Sequence, residues 1–187
     1  MRLAPINATV ATSNTVSEGF APVIGDTARV LILGSLPSQL SLTKQEYYAN
    51  PRNAFWRIMR EFVGFSDNDS YEYRCNTLIN KNIALWDVLA SSLRPGSLDS
   101  AIDVASATEN NFSSLFEQHP RITLICFNGK KARELFDRLV LCSTTVPEGC
   151  KLVDLPSSSA AHAVMNLEQK LERWSIISQH LENPVNE

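Results

Sequence analysis

The residues best suited to ligand binding or chemistry lie directly after short apolar runs. The first group follows ARVLILG at 28–34 and contains two adjacent tyrosines, Tyr47 and Tyr48, and then Pro-Arg-Asn at 51–53. A tyrosine in a loop can stack on a planar ligand, and such stacking contributes about 1–3 kcal/mol per base in nucleic-acid complexes. We expect one of the two tyrosines to face a ligand and the other to pack as core.

Two later groups carry basic and hydroxyl side chains. FNGKKAR at 127–133 places Lys130 at the start of a helix, where backbone N–H groups favour phosphate, although a solvated basic helix face is an equally good interpretation. LPSSSAAHA at 155–163 contains the run Ser157 to Ser159 and then His162. A Ser/His hydrolase is not indicated, because the sequence has neither a GxSxG turn nor an evident acidic partner.

Asp87 is the third feature, because it stands near the end of the apolar run at 83–89, where an unpaired carboxylate is costly. Two roles are open: the side chain bonds to local backbone or to Arg94 and braces the strand, or it faces a ligand. Metal ligation is not predicted, because no two of the three histidines share a helix face and the four cysteines show no CxxC spacing.

The hydrophobic periodicity predicts a parallel sheet that would bring these groups together. Continuously apolar runs indicate strands buried on both faces, and they alternate with amphipathic helices as in β-α-β units. Because ligands bind beyond the carboxyl ends of parallel strands, the loops that follow the strands should converge on one site. The predicted strands are 28–34, 83–89, 121–129 and 150–159, and the predicted helices are 53–63, 70–82, 109–118, 130–141 and 166–180.

Length and composition predict one domain with a substantial core. The chain has 187 residues, of which 44% are hydrophobic and 20% are charged. Residues 1–17 lack periodicity and are predicted to form a mobile tail before a single domain at 18–187.

The net charge of −3 argues against a surface that binds polyanions everywhere, so any contact with nucleic acid must be focal. With no apolar run near 18 residues and no secretory signal, we expect a cytoplasmic protein with reduced thiols.

Three ordered motifs resemble a known family. Residues 34–56, with GSLPS, SL and YYANPRNAFW, resemble the first motif of the hypoxanthine-DNA glycosylases, the DNA-deoxyinosine glycosylase branch of the uracil-DNA glycosylase superfamily. Residues 85–102 and 155–163 are similar to two further motifs, and 127–136 fits between them. The likeness covers about residues 18–175. It implies an α/β fold, a three-layer α/β/α sandwich with a four-stranded parallel sheet.

The resemblance also implies an activity and a partner. A member of this branch is a monofunctional enzyme that hydrolyses the N-glycosidic bond of a deaminated base during base excision repair. The base is hypoxanthine from deoxyinosine, with uracil as a second candidate, and it is flipped out of damaged DNA into a pocket. Neither a metal nor an organic cofactor is implied. We expect a monomer that does not bind membranes.

Site residues are implied by position within the motifs. The superfamily usually places a water-positioning Asp or Asn where this chain has Leu36, and the branch resembled here uses the Asn of Pro-Arg-Asn, which is Asn53. Tyr48 matches an aromatic that stacks on the flipped base, and Asp87 lies near a base-reading position. His162 is the substitute for a polar residue usual where Leu155 stands. The base-binding set is Gly34, Ser35, Tyr48 and Asp87, and the DNA-binding set is Ser38, Lys130, Ser157, Ser158, Ser159 and His162.

Three alternatives stay open. The enzyme could prefer uracil over hypoxanthine. The chain could instead be a catalytically weak lesion-binding protein, because Leu36 and Leu155 replace the usual polar groups. A flavodoxin-like binder of a small ligand would rest on the fold alone, and a fold does not determine a function.

Overall fold

Strands and helices alternate along residues 16–183, the part of the chain that the computed structural model describes. Two helical segments are not α-helical: a 3-10 turn at Asp99–Ala101 and a π-helical segment at Phe136–Val140. In chain order the elements are β1 (Val16–Glu18), β2 (Val30–Gly34), α1 (Gln39–Lys44), α2 (Phe55–Val63), α3 (Tyr71–Asn80), β3 (Ile83–Asp87), β4 (Leu89–Leu93), β5 (Thr108–Glu109), α4 (Phe112–Gln118), β6 (Leu124–Asn128), α5 (Lys130–Leu135), β7 (Lys151–Leu155), α6 (Leu167–Trp174) and α7 (Ile176–Glu182).

Four strands form the central sheet, in the order β3-β2-β6-β7, and every neighbouring pair is parallel. Strands β2, β3 and β6 are buried along their whole length, which explains why their sequences are continuously apolar. Strand β7 forms one edge and is partly exposed. The predicted α/β class and the four-stranded parallel sheet are confirmed.

The predicted strand at 83–89 is in fact two strands that belong to different sheets. The chain leaves the central sheet after Asp87, and Val88 and Leu89 donate backbone hydrogen bonds of 2.9 and 3.1 Å to the carbonyls of Gly34 and Ser35. The following strand, β4, then pairs antiparallel with β1 on one side and with β5 on the other.

This second sheet is absent from the sequence prediction, and it changes how the start of the domain is described. Residues 16 and 17, part of the predicted tail, lie in β1, and Ser17 is buried against β4. The remainder of that tail, residues 1–15, lies outside the described residues.

Helix boundaries follow the capping signals in the sequence. Asn166 and Gln169 form a capping box, in which each side chain accepts a hydrogen bond from the other residue's backbone N–H, at 2.9 and 3.0 Å. Asn82 has the left-handed φ of 59° expected of the residue that stops α3. The predicted last helix divides at Ser175 into α6 and α7.

Within residues 16–183, no helix is long and apolar enough to cross a membrane.

Two packed helices hold the loops that follow β2 and β7. Phe55 at the start of α2 contacts Trp174 of α6 edge to face, with 6.0 Å between ring centroids. The Trp174 indole N–H also donates to the carbonyl of Pro156, at 3.0 Å. These contacts keep the Pro-Arg-Asn segment and the serine run beside each other at the carboxyl end of the sheet.

Candidate active site

A cavity of about 360 Å³ opens at the carboxyl ends of the parallel strands, within the range of about 300–1,000 Å³ that is typical of ligand pockets. It is lined by nine of the residues singled out from the sequence: Gly34, Ser35, Tyr48, Asn53, Asp87, Ser157, Ser158, Ser159 and His162. Six further residues that the sequence analysis missed complete the lining: Ser97, Leu98, Asp99, Ser100, Asn128 and Ala161.

Gly34 allows two polar groups to converge at the end of β2. A Cβ atom at this position would lie 2.3 Å from Asp87 Oδ1 and 2.9 Å from the Tyr48 hydroxyl, closer than real Cβ contacts allow. Both groups therefore occupy the space that any other residue at position 34 would fill. This close approach explains why a glycine ends the strand.

The Asp87 carboxyl group is buried, and in the described part of the chain one of its oxygens has no hydrogen-bond partner. Only 3% of the residue is exposed, and Oδ2 has no hydrogen-bond partner within residues 16–183. Burial, reinforced by the negative charge of Asp99, raises the pKa of Asp87 to about 7. A buried and unsatisfied acceptor that lines a cavity is a group available to a ligand.

Arg94 does not brace Asp87. Its guanidinium group donates instead to the carbonyls of Leu36 and Pro37, at 3.0 Å for Leu36, and so fixes the loop after β2. No ion pair joins Arg94 to Asp87 within the described residues. The side chain of Asn110 contributes to the strand end by donating to the backbone carbonyl of Asp87, at 2.8 Å.

The adjacent tyrosines lie in different surroundings, Tyr47 in the core and Tyr48 at the cavity. Tyr47 is 3% exposed and donates from its hydroxyl to the Ala21 carbonyl, at 3.2 Å, so it belongs to the core. Tyr48 has a left-handed φ of 53°, lines the cavity and stacks on Phe55 with 4.0 Å between ring centroids. Its hydroxyl is buried without a hydrogen-bond partner among the described residues.

Asn53 lines the cavity and is oriented by the start of α2. Its side-chain oxygen accepts a hydrogen bond from the Phe55 N–H at 2.9 Å. An amide oxygen has a second lone pair, and the Asn53 amide nitrogen makes no hydrogen bond within residues 16–183. The side chain is thus held in place while part of its hydrogen-bonding capacity is left unused.

Asn128 is a site residue that the sequence analysis missed, and it holds the serine run in place. Its amide donates to the Ser158 hydroxyl at 2.8 Å and accepts from the Ser158 N–H at 2.7 Å. The Ser158 carbonyl in turn accepts from the Ala54 N–H at 2.8 Å. Ser158 is therefore buried and joins the end of β6 to the residue that follows Asn53.

Asp99 is a second acidic residue in the lining of the cavity. Ser35 donates from its hydroxyl to Asp99 Oδ1 at 2.5 Å. Asp99 begins the 3-10 turn at Asp99–Ala101 and lines the cavity.

The remaining predicted site residues differ in their placement. His162 is half-buried and borders the cavity, whereas Leu36 and Leu155, which stand where the superfamily usually has polar groups, are buried outside it. Ser38 does not line the cavity, because its hydroxyl caps α1 by accepting from the Ser41 N–H at 3.2 Å. Lys130 is exposed at the start of α5, also outside the cavity.

Comparison with known proteins identifies the family. The family model of the uracil DNA glycosylase superfamily matches residues 21–178. A protein of Methanosarcina acetivorans named hypoxanthine DNA glycosylase is 39% identical over 166 residues, 88% of this chain and 99% of that protein. A Methanosarcina barkeri protein of the same name is 39% identical over 118 residues, 63% of this chain and 73% of the relative.

A solved structure agrees with these sequence matches. The solution NMR structure of a candidate uracil DNA glycosylase from Methanosarcina acetivorans superposes with a TM-score of 0.74 at 38% identity, over 90% of this chain and all of the other. The matched residues include every residue that lines the cavity. The chain belongs to the uracil DNA glycosylase superfamily and, within it, to the hypoxanthine DNA glycosylases.

Proposed function

We propose that this DNA glycosylase removes hypoxanthine from deoxyinosine in DNA, reading the flipped base with Asp87 and directing water with Asn53. The observation that carries the proposal is the unsatisfied Asp87 carboxyl group, which lines the same cavity as Tyr48 and Asn53. Relatives that are 39% identical carry the name hypoxanthine DNA glycosylase, which supports hypoxanthine as the base.

Asp87 supplies the hydrogen-bond pattern that separates deaminated bases from normal ones. Hypoxanthine and uracil present a ring N–H beside a carbonyl, whereas adenine and cytosine present a ring lone pair beside an amino group. An ionised Asp87 accepts from the N–H and repels the lone pair. Guanine shares the N–H and carbonyl, so its additional amino group must be excluded by the shape of the cavity. Tyr48, already stacked on Phe55, offers a ring against which the base can pack.

Asn53 orients the attacking water rather than activating it, because an amide has no useful basic pKa. The hydrogen bond from Phe55 fixes the amide plane before substrate arrives. The rate then depends on cleavage of the glycosidic bond ahead of water attack. An oxocarbenium-like sugar formed in this way is stabilised by nearby phosphates and polar groups.

The test of this function is a panel of duplex oligonucleotides that carry hypoxanthine, uracil, xanthine or ethenocytosine at one position. Abasic sites are cleaved with alkali after incubation under single-turnover conditions. We expect the hypoxanthine strand to be cut fastest, with uracil next. A faster cut at uracil would establish the uracil-preferring alternative, and no cut in any strand would leave only a lesion-binding protein.

Replacing Gly34 by alanine should disturb the base-reading groups directly. The added methyl group overlaps Asp87 Oδ1 and the Tyr48 hydroxyl, so both side chains must move away from their observed positions. We expect at least about a tenfold loss in hypoxanthine excision, since displacements near 1 Å at a reacting group are costly. Unchanged excision by a folded Gly34→Ala protein would show that the positions of these two groups do not matter.

DNA binding should depend only moderately on salt, because a protein with a net charge of −3 is expected to contact DNA at a focal patch and not over its whole surface. With about 3–5 phosphate contacts, the slope of log K against log salt is expected near −3 to −4. Fluorescence anisotropy with a duplex that contains an abasic analogue measures this slope. A slope near about −8 would require a far wider basic surface than a focal contact provides.

A further inference from the structure

A smaller cavity of about 190 Å³ lies beside the main one and is positively charged. Three basic side chains line it: Arg52 from the turn before α2, Arg57 from α2 and Lys170 from α6. No acidic residue is part of the lining. The two cavities share a common wall formed by Ser158, Ser159 and His162.

These three cations have no counter-ion in the described protein. Within residues 16–183, no carboxylate oxygen lies within 4.0 Å of the charged groups of Arg52, Arg57 or Lys170. Arg60, on the same helix as Arg57, differs from these three because its guanidinium group forms an ion pair with the Glu61 carboxylate, at 2.9 Å. The charge in the small cavity is therefore left for an external anion to balance.

Lys170 is the most unusual of the three, because only 5% of it is exposed. Its ammonium group can donate three hydrogen bonds, and among residues 16–183 it makes one, to the His162 carbonyl at 3.2 Å. Burial, and then the positive charge of Arg57, lowers the pKa of Lys170. An anion placed between the Lys170 ammonium group and the neighbouring Arg57 would offset the repulsion between the two cations.

We infer that Arg52, Arg57 and Lys170 bind one backbone phosphodiester of the damaged strand, directly beside the nucleotide that enters the main cavity. The inference rests on the proposed function and adds the residues that hold the backbone of the damaged strand. The shared wall puts the small cavity where the backbone leaves a base inserted in the large one. A concentrated set of three cations also provides the focal contact that a protein of net charge −3 requires.

The test uses a duplex with a tetrahydrofuran abasic analogue, in which each flanking linkage is replaced in turn by a neutral methylphosphonate. Arg57→Gln should lower affinity by about tenfold, the size of one charge-assisted hydrogen bond, and reduce the salt slope by about 1. The matched control is Arg121→Gln, an exposed arginine before the amino end of β6, which should bind as the wild type does.

The neutral linkage identifies the phosphate that is contacted. One methylphosphonate should weaken the wild type as much as Arg57→Gln does, and the variant should lose little more on that duplex, because both changes remove the same contact. Additive losses at both linkages, or wild-type affinity in Arg57→Gln, would overturn the phosphate site. Failure of the wild-type protein to bind the abasic-analogue duplex would overturn the phosphate site as well.

Lys170→Met separates a binding role from a structural one, because methionine keeps the apolar part of the side chain and removes the charge. We expect a thermal midpoint equal to or above that of the wild type together with about tenfold weaker DNA binding. A lower midpoint with an unchanged salt slope would mean that Lys170 only supports the loop. Inorganic phosphate could instead raise the thermal midpoint of the wild type but not of Arg57→Gln, while the methylphosphonates leave DNA affinity unchanged. That result would indicate a site for free anions and overturn the assignment.

The excision assay stays independent of these binding measurements. If the methylphosphonate effect requires Arg57 and no deaminated base is released, the phosphate site stands and the proposed function fails. If hypoxanthine is released and Arg57→Gln binds normally, the proposed function stands and the phosphate site fails.

Discussion

Replacing Asn53 with alanine should lower the single-turnover rate of hypoxanthine excision by about 100-fold or more. Leu36 is buried outside the cavity, so it leaves no water-orienting side chain at the position usual for the superfamily. Asn53 lines the cavity, and its amide nitrogen donates no hydrogen bond within residues 16–183. Rates are measured with enzyme in excess over a duplex that contains deoxyinosine.

A second variant is needed because Asn53 also accepts a hydrogen bond at the start of α2. Loss of this hydrogen bond should lower the free energy of unfolding by about 1 kcal/mol, the usual net contribution of one hydrogen bond. Asn53→Ser restores a hydroxyl acceptor for the Phe55 N–H but is too short to hold water in the same place, so it should be stable and slow. Asn53→Asp should keep part of the activity, because a carboxylate can also hold water. Near-normal rates in a folded Asn53→Ala protein would remove Asn53 from the mechanism.

Changing Asp87 should have the second large effect, on both the choice of base and the pH profile. A site that loses a matched hydrogen bond can lose several orders of magnitude in discrimination. We expect Asp87→Ala to slow hypoxanthine excision far more than it weakens binding to the abasic product. Equal loss of thermal stability and activity would instead assign Asp87 a purely structural role.

The raised pKa of Asp87 gives this role a pH signature. Because the ionised form accepts from the base, kcat/KM for hypoxanthine excision should rise with pH and level off above about 7. Asp87→Asn should be slower and lose this rise, since its amide does not titrate. A wild-type profile that stays flat between pH 5.5 and 8.5, roughly the interval around that pKa, would contradict the assignment.

Stability should change with pH in the opposite direction. An unfolded chain releases the Asp87 proton near pH 4, whereas the folded protein keeps it up to about pH 7. Raising the pH between these values therefore lowers the free energy of unfolding, by up to about 4 kcal/mol, and has no further effect above them. Asp87→Asn should accordingly be more stable than the wild type at pH 8 and similar to it at pH 4.

The central sheet could be predicted because its signal is local. Burial on both faces makes β2, β3 and β6 continuously apolar, and a glycine or polar residue marks where each ends. The second sheet carries no such signal. Its central strand, β4, has the sequence LASSL and is defined by pairing with β1, which is distant in the chain.

The site could be predicted in part for the same reason. Motif position pointed to Asn53 and Asp87, whereas Asn128 and Asp99 act through partners 30 and 64 residues away, which no local pattern reveals. Residue types alone left open which of Tyr47 and Tyr48 packs in the core, and only motif position favoured Tyr48 for the site. The left-handed backbone at Tyr48, a property of the folded loop, accompanies the placement of that ring at the cavity.

The most direct measurement is the identity of the product released from a deoxyinosine duplex. The protein is incubated in stoichiometric amounts with the duplex in EDTA, and small molecules are separated from the DNA and identified by mass. A hypoxanthine DNA glycosylase releases free hypoxanthine and leaves an intact strand with an abasic site, one base for each site formed. A strand that retains deoxyinosine, or the release of a nucleoside or nucleotide instead of the free base, would contradict the proposed reaction.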